Sequence, residues 1–179
     1  GDVGEFWANV CAGRDLVTEV PADRWDAARF YPPDAADPRR QATGGGGPVL
    51  VPSKWGGFLS PVPFDPLRYG IPPRSLPSID TAQLLALEVA ARALVDAGYD
   101  PGTGGADPTG ARLRAFDRER TSVIFGAESG ADITTAYSFR SAFASLFGGV
   151  PAALDAALPV MTEDSFPGML AIVIAGRVA

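Results

Sequence analysis

The chain has 179 residues, of which 46% are hydrophobic and 20% charged, so it can bury a sizeable core as one globular domain. Its net charge of -6 argues against nucleic acid as a partner, because proteins that bind phosphate backbones need clustered cations. The longest apolar run, residues 169–175, is far shorter than a membrane-spanning helix and argues against a membrane partner.

The amino terminus and the cysteine count bear on the compartment. The first five residues have neither the cationic start nor the apolar stretch of a secretion signal. Cys11 is the single cysteine, and one cysteine cannot form a disulfide within the chain. Both features predict a cytoplasmic protein.

Residues 5–13 predict the first element, a short amphipathic helix. Phe6, Trp7 and Val10 recur at helical spacing, and Gly13 is placed to end the helix in a left-handed conformation. Cys11 lies within this helix, where a small buried thiol is the usual occupant.

Proline and glycine concentrate in two stretches, which predict long loops at residues 31–54 and 100–112. Loops of this length in a compact domain usually carry interfaces or function. The first loop contains four consecutive glycines at 44–47, and residues 55–59 after it predict a short strand or turn.

Residues 80–97 give the clearest helical pattern. Asp80 can cap the first turn, Gln83 occupies the partner position of a capping box, and Gly98 follows the last turn. One face then carries the apolar residues Leu84, Leu87, Ala91, Leu94 and Val95. We therefore expect a helix that is buried along most of its length.

The second half of the chain predicts one strand and three further helices. Residues 121–126 are apolar and β-branched, which is typical of a fully covered central strand. Helices are predicted at 131–147 and 152–158. Pro167, placed in a first helical turn, and the apolar run 169–175 predict a last buried helix that Asp164 would cap and that is still running where the chain ends.

Few residues in this chain could carry chemistry. The sequence has no histidine, which excludes Ser-His pairs, Cys-His pairs and histidine metal sites within these residues. The glycines at 44–47 lack the Gly-Lys-Ser/Thr of a phosphate-binding loop, and Ser129 lacks the Gly-x-Ser-x-Gly spacing of a nucleophile elbow. We predict no catalytic residue, no metal ligand and no cofactor bound directly.

Several short motifs nevertheless follow one another in a fixed order. They are FWANVCAGRD at 6–15, VPADRWD at 20–26, WGGFL at 55–59, FDP at 64–66, YGIPPR at 69–74, DAGY at 96–99 and VIFG at 123–126. In this order and spacing they resemble the amino-terminal part of a β-ketoacyl synthase, or ketosynthase, from a bacterial type I polyketide or polyunsaturated-fatty-acid synthase. The variants DTAQL at 80–84 and TEDSFPG at 162–168 resemble the polyunsaturated-fatty-acid branch.

The resemblance implies an α/β chain with a partial thiolase-like fold, comprising part of the amino-terminal half and long Pro/Gly-rich loops. It implies an acyltransferase that extends carrier-bound acyl chains by decarboxylative Claisen condensation with malonyl-type units. The implied partners are an acyl carrier protein whose phosphopantetheine holds the thioesters, a second copy of the chain in a homodimer, and other domains of a multidomain synthase.

The resemblance also assigns candidate residues and implies missing ones. In the family the reactive cysteine follows the AGR motif, found here at 175–177, and two histidines come later. Residues 1–179 are therefore expected to lack the first strand and the active-site segment, and to be inactive alone. Ser165, Phe166 and Pro167 match a segment near the acyl pocket and the dimer interface, so they are candidates for either contact, beside ordinary packing at a helix start.

An alternative from a different class stays open. A noncatalytic ketosynthase-like chain could serve as a structural or chain-length partner in a heterodimer. A reactive cysteine in the next stretch of sequence, or a replacement such as glutamine, would distinguish the two.

Overall fold

The computed structural model describes residues 3–31, 50–103, 110, 112–127 and 131–179. The glycines at 44–47, Ser129 and most of the predicted loop 31–54 lie outside the described residues, as do 104–109 and 111 in the second predicted loop. The chain divides into two compact units, Gly1–Pro63 and Phe64–Ala179.

The first unit begins with helix α1, Val3–Cys11. Gly13 ends the helix with a φ of +58°, while its amide donates to the Val10 carbonyl and the Arg14 amide donates to the Asn9 carbonyl. This is the hydrogen-bond pattern of a Schellman motif, so the predicted stop at Gly13 is confirmed.

The apolar face of α1 is open among the described residues of its unit. Val3, Phe6, Trp7 and Val10 are all more than half exposed. Cys11 is exposed too, so the prediction of a buried thiol is wrong. A helix of this length buries a side chain only where another element covers it, and no residue of α1 is buried.

The rest of the first unit contains a small antiparallel sheet and a short helix. Strand β1, Thr18–Glu19, pairs with β2, Trp55–Gly56, which confirms the short strand expected at 55–59. Helix α2, Ala27–Phe30, begins after Asp26, whose carboxylate accepts hydrogen bonds from the first-turn amides and caps the helix.

The second unit is built around helix α3, Thr81–Asp96. Asp80 caps it by accepting from the Ala82 amide at 2.8 Å, and Gly98 follows it with a φ of +80°. Short 3-10 helices at Leu67–Tyr69 and Pro73–Ser78 precede it. The core centres on Ile71, Ile79 and Leu87, against which Phe64, Leu76, Leu84 and Val178 pack.

Two of the helices predicted after α3 form where expected. Helix α4 spans Ala131–Phe147 and helix α5 spans Ala152–Ala157. A 3-10 turn at Arg118–Arg120 lies between α3 and α4. The guanidinium of Arg140 on α4 donates to the Leu158 and Pro159 carbonyls and pairs with the Asp155 carboxylate, so it fixes α5 and the segment after it to α4.

The predicted strand at 121–126 does not form. These residues have no regular structure, and the Ile124 side chain is 89% exposed. A strand needs a hydrogen-bonded neighbour, and the only sheet among the described residues is the β1–β2 pair. The described part of the chain is therefore mainly helical.

The last predicted helix is two helices. Helix α6 spans Ser165–Met169, Leu170 is extended, and helix α7 spans Val173–Val178. The predicted cap by Asp164 is also wrong, because its side chain makes no capping hydrogen bond. At the break, the Gln83 side chain binds backbone carbonyls that a continuous helix would have used.

Candidate functional site

The three candidate residues Ser165, Phe166 and Pro167 open α6, and the structure gives each a different environment. Ser165 is only 1% exposed, Pro167 is half-buried, and Phe166 is 66% exposed. Of the three side chains, the Phe166 ring is the most exposed.

A chain of hydroxyl groups holds Ser165. Its Oγ accepts from the Thr162 amide at 2.8 Å and donates to the Tyr137 hydroxyl at 2.9 Å, and Tyr137 donates in turn to the Val160 carbonyl at 3.3 Å. The Thr162 hydroxyl also lies 2.9 Å from that of Ser78. The start of α6 is thus bonded to α4 and to the 3-10 helix before α3.

Gln83 holds the other end of α6. Its Nε2 donates to the carbonyls of Pro167 and Gly168, each at 2.9 Å, and lies 3.2 Å from that of Leu170. Its Oε1 accepts from Arg177 Nε at 2.6 Å, which connects α3 to α7. Gln83 therefore forms no capping box, although its position in the sequence predicts one.

Sequence reasoning missed this role of Gln83, although a signal for it was present. Gln83, Leu87 and Ala91 recur every four residues and so share one face of α3, and all three are buried. A polar residue on an otherwise apolar helix face must find hydrogen-bond partners there. Those partners come from more than 80 residues away in the sequence, where no local pattern could locate them.

Close backbone contact also holds α6 in place. The Asp80 amide donates to the Gly168 carbonyl at 3.0 Å. A Cβ at Gly168 would overlap the Ser78 carbonyl oxygen, so only glycine allows this approach. Together with Ser165 and Gln83, these contacts fix the backbone on both sides of Phe166.

A second polar cluster joins the 3-10 turn at Leu67–Tyr69 to α3. The Tyr69 hydroxyl donates to Glu88 Oε2 at 2.6 Å, and Arg92 Nε donates to Oε1 at 3.0 Å. Burial, together with the hydrogen bond to Glu88 and its negative charge, raises the pKa of Tyr69 to about 12. Burial alone would raise the pKa of Glu88, but hydrogen bonds from Tyr69 and Arg92 lower it below its ordinary value.

These shifts argue against acid–base chemistry at Tyr69 and Glu88. A general acid or base works best with a pKa near the operating pH, and both groups are moved away from neutrality. The cluster is a structural connection between a loop and a helix.

An apolar groove of about 360 Å³ lies in the second unit. It is lined by α3, residues 116–125 and the last two residues of the chain, including Leu94, Phe116, Val123 and Val178. Arg118 is its one charged lining residue, and it donates to the Pro101 carbonyl at 3.0 Å. The groove offers mainly apolar surface, and its hydroxyl-bearing lining residues are Thr121 and Ser122.

Within the described ranges, no helix has the length and apolarity required to cross a membrane. No group of three or more potential metal-ligating side chains comes together in that part of the chain either. The arrangement around α6 consists of amides, hydroxyls and the Arg177 guanidinium, with one exposed aromatic ring.

The family match defines the class of protein. Residues 1–179 match the family model described as "Beta-ketoacyl synthase, N-terminal domain". The chain belongs to the β-ketoacyl synthase family, which confirms the resemblance carried by its motifs and implies a thiolase-like fold.

Similar curated proteins are polyketide synthases. A phenolphthiocerol/phthiocerol polyketide synthase of Mycobacterium tuberculosis is 38% identical over 136 residues, which are 74% of this chain and 8% of that protein. Polyketide synthase ThaQ of Burkholderia thailandensis is 38% identical over 156 residues, 86% of this chain and 6% of ThaQ. Polyketide synthase PksN of Bacillus subtilis is 38% identical over 99 residues, 55% of this chain and 2% of PksN. The chain therefore spans less than a tenth of the length of each.

Proposed function

We propose that residues 1–179 are the amino-terminal part of a ketosynthase domain that extends acyl chains in a multidomain synthase. The observation that carries this proposal is the match of the whole chain to the β-ketoacyl synthase N-terminal family. The names of the similar proteins favour polyketide biosynthesis, while the DTAQL and TEDSFPG variants extend the proposal to fatty-acid synthesis. The proposed compartment is the cytoplasm.

The proposed reaction has two steps. A cysteine thiolate outside these 179 residues attacks a carrier-bound acyl thioester and releases the carrier thiol. A malonyl-type unit on the phosphopantetheine of an acyl carrier protein then loses CO₂, and the resulting carbanion attacks the acyl thioester. The new carbon–carbon bond forms as the cysteine thiolate leaves.

The 179 residues on their own are expected to be inactive. The sequence contains no histidine to assist decarboxylation, and its only cysteine, Cys11, lies exposed on α1. The proposed work of this part of the chain is to contact the acyl substrate and to contribute to a homodimer. Ser165, Phe166 and Pro167 are the residues proposed for these contacts.

Within that segment we assign the direct contact with the acyl chain to the Phe166 ring. An exposed aromatic ring on a backbone fixed from both sides is a preorganised apolar anchor, since little conformational entropy is lost when it binds. Ser165 and Pro167 would support this contact through the hydrogen bonds of the Ser165 hydroxyl and the Pro167 carbonyl.

The overall proposal is tested on the complete protein that contains this chain. Acyl and malonyl thioesters on a carrier protein are supplied, and the carrier-bound product is measured by mass spectrometry. We expect a β-ketoacyl product two carbons longer than the acyl primer. The alternative outcome is a protein that forms a heterodimer with a second ketosynthase and yields no such product through its own cysteine. Such a protein would be a noncatalytic partner.

The acyl contact is tested with Phe166→Ala in the same protein. We expect kcat/KM to fall about tenfold for a dodecanoyl thioester and to stay unchanged for an acetyl thioester, because only the longer chain reaches the ring. Phe147→Ala is the matched control, since Phe147 is 70% exposed but lies at the end of α4. Equal losses for the two thioesters would contradict the assignment.

A further inference from the structure

Gln83 and Ser165 are the largest fully buried side chains in the described part of the chain, and both are polar. Burying a polar side chain costs free energy unless each of its groups is hydrogen-bonded. The buried residues of the hydrophobic core cluster, Ile71, Ile79 and Leu87, are aliphatic and do not carry that cost. Both contribute hydrogen bonds at α6, since Gln83 binds the Gly168 carbonyl within the helix and Ser165, its first residue, binds the Thr162 amide before it.

The hydrogen bonds of Gln83 explain the local shape of the chain. The carboxamide Nε2 has two hydrogens, and the carbonyls of Pro167, Gly168 and Leu170 surround it. Oε1 is satisfied by Arg177. The carbonyls so engaged cluster where α6 stops, so the side chain replaces helical hydrogen bonds at the break.

Phe166 lies between the residues that are fixed. Ser165 before it is bonded to Tyr137, and Pro167 after it is bonded to Gln83. The ring itself is 66% exposed. The buried Gln83 amide thus binds the residue next to an exposed aromatic ring.

We propose that Gln83 is a positioning residue for acyl-chain recognition, acting by fixing the backbone on which Phe166 projects. This inference deepens the proposed function and rests on it, since it requires that Phe166 contacts the acyl chain. The carboxamide does not touch substrate. Its contribution is to the direction of the ring and hence to the preference for long over short chains.

The test uses Gln83→Met in the complete protein, with acetyl, hexanoyl and dodecanoyl pantetheine thioesters as primers. Methionine has a similar length but no N–H donors, so the carbonyls of Pro167 and Gly168 lose their side-chain donor and keep only the backbone amides of Leu170 and Asp80. We expect the ratio of kcat/KM for dodecanoyl over acetyl to fall about tenfold, mainly through KM, while kcat for acetyl is unchanged. Val89→Met, at an exposed position of α3, is the matched control.

A second variant covers the case in which Gln83→Met does not fold. Gln83→Glu keeps an acceptor for Arg177 but has no N–H donors for the carbonyls when ionised. We expect the same fall in the dodecanoyl-to-acetyl ratio. A purely structural role would lower the amount of active enzyme and so reduce the rates for all primers by the same factor.

The outcomes distinguish the positioning role of Gln83 from the acyl contact of Phe166 on which it rests. If Phe166→Ala lowers the dodecanoyl-to-acetyl ratio but both Gln83 variants reduce the rates for all primers equally, the positioning role is wrong and the acyl contact stands. If Phe166→Ala leaves the ratio unchanged, the acyl contact is wrong and the positioning role falls with it. A fall in the dodecanoyl-to-acetyl ratio in Phe166→Ala and in either Gln83 variant, but not in Val89→Met, supports both the acyl contact and the positioning role.

Discussion

Residues 121–126 and 169–175 are two short apolar runs that predict buried regular elements equally well. The two runs differ in conformation and burial in the structure. The second run is anchored by polar contacts from Gln83 to the backbone just before and within it, and Ile174 is buried in α7, which packs against α3. The first run has no regular structure, and Ile124 is almost fully exposed.

The difference shows what an apolar sequence needs in order to become a buried element. Apolar side chains supply a driving force that has no direction, whereas backbone N–H and C=O groups require specific partners. Gln83 supplies such partners at the break between α6 and α7. Within the described residues no strand supplies them at 121–126.

The largest expected effect compares one isoleucine from each run. Ile174→Ala should lower the free energy of unfolding by about 3 kcal/mol, because it leaves a cavity at a site that is 4% exposed. Ile124→Ala should change it by less than about 0.5 kcal/mol. Urea unfolding followed by far-UV circular dichroism measures both. Equal losses for the two variants would mean that residues 121–126 are buried in solution.

A smaller effect is expected from the close approach at α6. Gly168→Ala should cost about 2 kcal/mol, because the new Cβ collides with the Ser78 carbonyl, which is backbone and cannot rotate away. Gly176→Ala in α7 is the control, since a Cβ there meets nothing within 4 Å and alanine favours a helix. Fluorescence of Trp7, Trp25 and Trp55, all in the first unit, checks that the loss is confined to the second. An unchanged free energy of unfolding in Gly168→Ala would contradict the tight contact between Gly168 and the Ser78 carbonyl.

The smallest expected effect is the pH dependence that comes from the hydrogen bond between Tyr69 and Glu88. This polar contact is less buried than those of Gln83. The pKa of Tyr69 is raised from 10.0 to about 12, so the folded state favours the protonated phenol. Its contribution to stability is fully present below pH 10 and is lost as the pH rises toward 12. Wild type should therefore lose more stability over this range than Tyr69→Phe, by less than about 1 kcal/mol.

The same pair predicts the opposite trend in acid. The pKa of Glu88 is lowered, so its contribution is present above the ordinary value of 4.5 and is lost as the pH falls below it. Tyr69→Phe removes one of the hydrogen bonds that lower this pKa and should weaken the acid dependence. Tyr99→Phe, at a tyrosine that packs against Phe116, is the control for both ranges. Identical pH profiles for all three proteins would rule out the Tyr69–Glu88 contribution.

Much of the local structure could be predicted from the sequence. The helices at α3, α4 and α5, the cap at Asp80 and the stops at Gly13 and Gly98 all agree with their patterns. These features depend on residues within a few positions of one another. The motifs likewise identified the family, because their order is a property of the sequence itself.

The candidate site was predictable only in part. The motif at 162–168 identified Ser165, Phe166 and Pro167 as a segment of interest, but it could not indicate which side chain is exposed. Gln83 was assigned to a capping box, whereas its partners lie 84 to 87 positions away. Contacts at such separations leave no local periodicity in the sequence.

The sequence by itself determined the family, the main helices and the helix ends, since these follow from side-chain periodicity and local backbone preference. Only the tertiary structure decided that the last apolar run breaks into α6 and α7, that Ser165 is buried while Phe166 is exposed, and that residues 121–126 form no strand. The physical reason is common to all three. Each depends on hydrogen-bond partners or covering surface from distant parts of the chain, which exist only after the chain has folded.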